Sequence, residues 1–153
     1  MWFSRKQLAK TPISGGAGAP AADHPSGQIT TKRLGDAAES LARAHLTRAG
    51  LKLVEANYRT PGRGGGEVDL IMRTPDGTLV FVEVRQRKSD SHGGAGASIG
   101  ATKRRRIIFA ARHYLMRFAS PPPCRFDVVL VEGRPDASEA PSIEWLRGAF
   151  DTD

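Results

Sequence analysis

Two apolar strand patterns joined by a tight turn constrain this chain more than any other segment. Glu67-Val68-Asp69-Leu70-Ile71 leads to a Pro75-Asp76-Gly77 turn, and Val80-Phe81-Val82-Glu83-Val84-Arg85 follows. Strand side chains alternate between faces, so Glu67 shares a side with Asp69, and Glu83 with Arg85. Paired as a hairpin, the two strands bring Asp69 and Glu83 to one spot. Carboxylates set among valines and a phenylalanine are costly to desolvate and need a partner. A hard cation such as magnesium is one partner that justifies them.

The flanking segments supply the layers such a hairpin needs. Thr30-Thr31 can cap a helix in which Leu34, Ala38, Leu41, His45 and Ala49 recur at helical spacing, and Gly50 stands where it would stop. Residues 51–58 read as a short strand, with Leu51 and Leu53 inward and Val54 a further candidate. Pro61 and four glycines make residues 59–66 a loop. The carboxylate strands, 66–73 and 78–87, are apolar on both faces, which predicts a sheet covered by helices on both sides. A second glycine-rich loop occupies 88–100. A helix over 101–118 then presents Ile107, Ile108, Ala111, Tyr114, Leu115 and Phe118 as its apolar stripe, and Pro121-Pro122-Pro123 ends it. Residues 125–131 alternate as a strand, and 142–146 form a last short one. The expected class is α/β with a central mixed sheet. Residues 11–30, rich in Gly, Ala, Pro and Ser, leave 1–30 as an expected disordered lead-in to one domain over 31–150.

Composition narrows the function classes. The chain of 153 residues carries a net charge of +7, with a pI near 10.2, which favours an acidic partner and nucleic acid first. Residues 103–117 hold six Lys or Arg and no acid, whereas 127–153 hold seven acids against two arginines. That asymmetry fits a binding face, although a solvated helix and a solubilising tail would look the same. The single cysteine, Cys124, excludes an intramolecular disulfide, and the four histidines lack ligand-like spacing for zinc. No apolar run spans a bilayer and no signal-peptide core opens the chain, so a cytoplasmic protein without membrane contact is expected.

Phosphodiester hydrolysis needs an activated water, charge neutralisation at the phosphate and help for the leaving oxygen. Magnesium or manganese held by carboxylates supplies these. Asp69 and Glu83 are placed to hold the ion, the carbonyl of Val84 to add an oxygen, and Glu67 and Glu39 to assist. Arg85 is placed to orient water or stabilise developing charge. The alternative for the same residues is structural, with Glu83 pairing Arg85 or Arg87 across strands.

At these residues the chain resembles the YraN-type family, a branch of the restriction-endonuclease-like PD-(D/E)XK nuclease superfamily similar to archaeal Holliday junction resolvases. The resemblance rests on Gly66-Glu67-Val68-Asp69-Leu70-Ile71 and Phe81-Val82-Glu83-Val84-Arg85-Gln86-Arg87. Gly35-Asp36-Ala37-Ala38-Glu39, Asn57-Tyr58-Arg59, Lys103 with Ala110-Ala111-Arg112-His113-Tyr114-Leu115, and Arg125-Phe126-Asp127-Val128 extend it over roughly residues 32–150. It implies a restriction-endonuclease-like fold, with Asp69 as the motif aspartate, Glu83 as the second acid and Glu39 as the extra acid of resolvase-like members. Two positions depart from the motif. Val68 replaces its proline, and Arg85 stands where its lysine belongs. A guanidinium stays charged, with a pKa above about 12, and cannot act as a general base. Lys103 or Lys88 would then have to contribute an ammonium.

Arg59, Arg87, Lys88, Lys103, Arg104 and Arg105 are the expected phosphate contacts, giving salt-dependent binding with little sequence preference. Three functions stay open. The first is a magnesium- or manganese-dependent endonuclease on branched or structured nucleic acid, DNA ahead of RNA, with a homodimer implied by junction-cutting relatives. The second is a nuclease fold that binds nucleic acid without cutting, a reading that Arg85 favours. The third is an interaction protein that docks through its basic helix and acidic tail.

Overall fold

A computed structural model describes residues 31–87, 99–133 and 138–152. The expected lead-in over 1–30, the Thr30 cap and most of the second glycine loop, with Lys88, lie outside these residues. The element order is α1 (Thr31–Arg48), β1 (Lys52–Arg59), β2 (Glu67–Arg73), β3 (Leu79–Arg87), α2 (Ala101–Leu115), β4 (Cys124–Glu132) and β5 (Ser142–Phe150). The five strands form one sheet in sequence order, antiparallel throughout except for β3 and β4. That parallel pair is the one joined through α2, because parallel neighbours need a crossover. This is the mixed α/β layout expected of a restriction-endonuclease-like domain.

The helices cover opposite faces. On one side, Ala38, Ala42 and Leu46 of α1 pack with Leu70, Met72, Val80, Val82, Val129 and Val131. On the other, Ile107, Ala110, Ala111 and Tyr114 of α2 pack with Ile71, Leu79, Phe81, Phe126 and Val128. The small alanines of α1 let its backbone lie close to the sheet. Its buried stripe therefore runs through Ala42 and Leu46, and the expected His45 and Ala49 sit at its margin or outside it.

Local chemistry fixes the turns. Gly50 takes φ +101, its N–H reaching Thr47 O at 3.0 Å while Leu51 N–H reaches Leu46 O at 3.1 Å. Both bonds satisfy carbonyls that the end of α1 leaves open, and Leu51 packs back on Leu46. The β2–β3 turn closes through Gly77 N–H to Thr74 O at 3.0 Å, with Gly77 at φ +91. Two expectations change in extent. Helix α2 ends at Leu115, before the prolines. Strand β5 runs nine residues instead of five, because Gly148 at φ +56 lets the chain bulge and continue until Phe150 stacks on Phe126 at 4.9 Å. No helix among the described residues is long and apolar enough to cross a membrane.

Candidate active site

The β2–β3 ladder pairs Arg73 with Leu79, Met72 with Val80, Ile71 with Phe81 and Leu70 with Val82. One further step would oppose Asp69 to Glu83, and there the ladder opens. The Val84 N–H donates to the Asp69 carboxylate (Oδ2) at 2.8 Å. A side chain thus takes the place of a strand partner and fixes Asp69 at the mouth of the hairpin. By strand alternation Asp69 and Glu83 follow Ile71 and Phe81 on the face covered by α2.

Glu83 is 6% exposed, and no donor reaches its Oε2. Its pKa is pushed up to about 8, first by burial, then by the charge of Asp69 and by a side-chain hydrogen bond to that carboxylate, against the pull of Lys103. Lys103 lies 3.6 Å from Glu83 Oε1 and 3.1 Å from Glu67 Oε1. Burial disfavours that ammonium, but Glu83, Glu67 and Asp69 together outweigh it and hold its pKa above the usual lysine value. Glu67 is lowered, chiefly by the Lys103 hydrogen bond, with Arg106 and Arg59 adding to it.

Close packing of α2 on β2 makes these contacts reachable. A Cβ at Gly66 would lie 2.2 Å from Arg106 O and 2.6 Å from Ala110 N, so only glycine permits this approach. Thr60 holds the glycine in place, its N–H donating to Gly66 O at 3.0 Å and its Oγ1 accepting the Gly66 N–H at 2.7 Å. Lys103 stands four residues before buried Ile107 and therefore begins the inner stripe of α2.

The remaining expected site residues fall into three groups. Glu39, on α1 beside buried Ala38, has a raised pKa, first from burial and then from the charge of Asp69. The side chain of Asn57 hydrogen-bonds Glu39, and Asn57 itself holds a left-handed φ of 54. Arg85 and Arg87 continue β3 beyond Glu83, half-buried, in register with Leu130 and Glu132 of β4. Arg59 is exposed and 3.7 Å from Glu67 Oε2. Arg104 is drawn back to the Ile99 carbonyl at 3.1 Å, and Arg105 to Thr102 Oγ1 at 3.3 Å. Arg106, the last cation of the same basic run, reaches Glu67 at 3.7 Å.

Among the described residues no group of three or more His, Cys, Asp or Glu side chains is gathered so as to hold a metal. The donor set to be weighed is therefore two carboxylates with backbone oxygen. A buried carboxylate oxygen lacking a donor, next to a second carboxylate, fits a hard divalent cation. Magnesium binds through one or two carboxylates and keeps several waters.

The family model described as "Uncharacterised protein family UPF0102" matches residues 38–131, which contain every charged residue of this cluster. Relatives described as UPF0102 proteins are similar over most or all of the chain. One from Polaromonas naphthalenivorans (strain CJ2) is 69% identical over 153 residues, covering 99% of both chains. One from Polaromonas sp. (strain JS666) is 67% identical with the same coverage. One from Cupriavidus pinatubonensis is 53% identical over 130 residues, 84% of this chain and 94% of its own. The chain belongs to the UPF0102 family, the YraN-type group that its hairpin motifs resemble.

Proposed function

We propose that this chain is a divalent-metal-dependent endonuclease acting on nucleic acid, with branched or otherwise structured DNA as its first substrate class. The observation that carries the reading is Glu83 Oε2, a buried carboxylate oxygen that no donor reaches, beside the carboxylate of Asp69. Buried acids without donors are uncommon away from functional sites. Asp69 and Glu83, with the Val84 carbonyl, would hold magnesium or manganese. Bound there, the ion supplies an acidified water and neutralises phosphate charge.

The chain's own residues do the rest. Val84 N–H keeps Asp69 aimed at the hairpin mouth. Glu39 lies near enough to Asp69 to assist from the opposite helix. Lys103 and Arg85 are the two candidates for the cation at a phosphate oxygen or the attacking water, and either would act charged. Arg59, Arg87, Arg104, Arg105 and Arg106 extend that charge for a nucleic-acid backbone. In the hydrolysis, the water oxygen bonds to phosphorus, the bond to the leaving oxygen breaks, and that oxygen takes a proton while the water's proton passes to solvent.

Labelled four-way junction, flap, duplex and single-stranded DNA, incubated with magnesium or manganese, test the reading. Cleavage by the wild type that disappears in Asp69→Ala/Glu83→Ala, with DNA binding retained, is the expected result. A second reading, binding without cutting, is favoured by Arg85, since the motif has lysine there. Tight DNA binding with no cleavage by either protein would select it.

A further inference from the structure

Glu67 has the wrong neighbours for a metal ligand. Lys103 sits 3.1 Å from its Oε1 and Arg106 3.7 Å from the same oxygen, while Arg59 is 3.7 Å from Oε2. A dication brought to Glu67 would be repelled by three cations at ion-pair distance, and the interaction is stronger for being partly buried. Asp69 and Glu83 present the reverse situation, with acids crowded together and an oxygen left open. Lys103 joins the two groups, because its Nζ reaches both Glu67 and Glu83.

A lysine on a flexible four-carbon stem points nowhere in particular unless something holds its head. Here the stem starts on the inner stripe of α2, the Gly66 contact brings that helix down on β2, and Glu67 grips the ammonium. We propose that Glu67 is a positioning residue that fixes the Lys103 ammonium against Glu83, so that the catalytic cation is supplied by α2 and not by Arg85 on β3. The proposal rests on Asp69 and Glu83 being the metal-holding pair of a nuclease. It assigns Glu67 no contact with metal or substrate. Lys103 would touch the scissile phosphate or the water beside it.

The test is a double-mutant cycle on the full chain with Glu67→Gln, Lys103→Met and both together. Manganese affinity is read by the electron-spin-resonance signal of free ion, without nucleic acid, and DNA cleavage is read separately as kcat and KM in magnesium. Removing the ammonium should tighten manganese about threefold to tenfold, since one charge beside the carboxylates is lost. Glu67→Gln should change that affinity by less than about twofold, because losing an acid offsets freeing Lys103. The gain from Lys103→Met should shrink in the Glu67→Gln background, which is the signature of residues acting as a unit. In cleavage, Lys103→Met should lower kcat about 100-fold, Glu67→Gln about tenfold, and the double variant no further than Lys103→Met.

Manganese affinity falling tenfold or more in Glu67→Gln would make Glu67 a ligand and overturn the proposal. So would an equal effect of Lys103→Met in both backgrounds, or cleavage that survives Lys103→Met and is lost in Arg85→Met. Failure of the nuclease reading would look different: the wild type would cut none of the DNAs. The manganese cycle would then still decide whether Glu67 holds Lys103, and Lys103 would lose its catalytic role. Absence of manganese binding by the wild type would overturn both.

Discussion

Asp127 and Glu83 are buried acids on adjacent strands, and the fold treats them in opposite ways. Asp127 lies opposite Val82, one position from the Glu83 register. It is fully buried and surrounded by donors: Arg125 Nε at 3.1 and 3.3 Å, Trp145 Nε1 at 2.9 Å and Gly148 N at 3.0 Å. Both its oxygens are used. Glu83 is almost as buried, yet one oxygen has no donor and its other faces an ammonium at 3.6 Å. Burial of an acid is therefore not the functional signal in this molecule; incomplete satisfaction is. A saturated carboxylate ties β4 to β5, whereas an unsaturated one has coordination to offer.

The largest effects should come from exchanging the two acids' fates. Asp127→Ala strands the Trp145 and Gly148 N–H groups and removes the partner of Arg125, and should cost about 3 kcal/mol of folding stability. Urea titration followed by tryptophan fluorescence would measure it. Glu83→Gln should go the other way, leaving stability equal or higher while manganese binding falls at least tenfold. An amide needs neither the proton that the folded protein must hold on Glu83 nor the desolvation of its charge, which relieves the fold, as in other sites where stability and function conflict. Loss of 2 kcal/mol or more in Glu83→Gln would break the comparison and make Glu83 a structural acid.

Gly66→Ala sharpens it at an intermediate level. The added methyl meets the α2 backbone at Arg106 and Ala110, so the helix must move, at about 1–3 kcal/mol. Asp69 and Glu83 lie on strands and should keep their manganese affinity within about threefold, while Lys103 is carried away from them. Cleavage should therefore fall much more than metal binding. Equal losses in both would mean that the acid pair depends on α2 for its geometry.

The contrast between the two acids also marks what a sequence can disclose. The hairpin was legible because alternation, the Pro75-Asp76-Gly77 turn and the apolar runs all agree, and its register alone brings Asp69 towards Glu83. Helix α2 was legible from its stripe, but Lys103 reads as one more cation in a basic run unless Ile107 is counted back four residues. The saturation of Asp127 was hidden, because two of its donors come from β5 through a bulge at Gly148, where the alternating pattern breaks. Glu67 looked like an accessory acid beside Asp69. Its role as an anchor appears only once β1, α2 and the glycine loop are folded round it, bringing Arg59, Arg106 and Lys103 together.

The most gradual effect to seek is the dependence of stability on pH. Glu83 has its pKa raised in the folded protein from the ordinary 4.5 to about 8, burial being the first cause. Between those values the folded state keeps a proton that the unfolded chain has released. Without added metal, stability should therefore fall as pH rises through this window, by at most about 1.4 kcal/mol per pH unit. Glu83→Gln cannot titrate, so the difference between the two proteins' thermal midpoints from pH 5 to 9 isolates this one group. Saturating manganese should flatten the slope, since the ion holds the acid deprotonated in the folded state as it is in the unfolded chain, and it stabilises the folded state by about 2.7 kcal/mol at a hundred times its Kd. Parallel midpoint curves for the wild type and Glu83→Gln would mean that Glu83 is ionised throughout. The open oxygen would then belong to an acid already satisfied by Lys103, and the distinction from Asp127 would lose its electrostatic half.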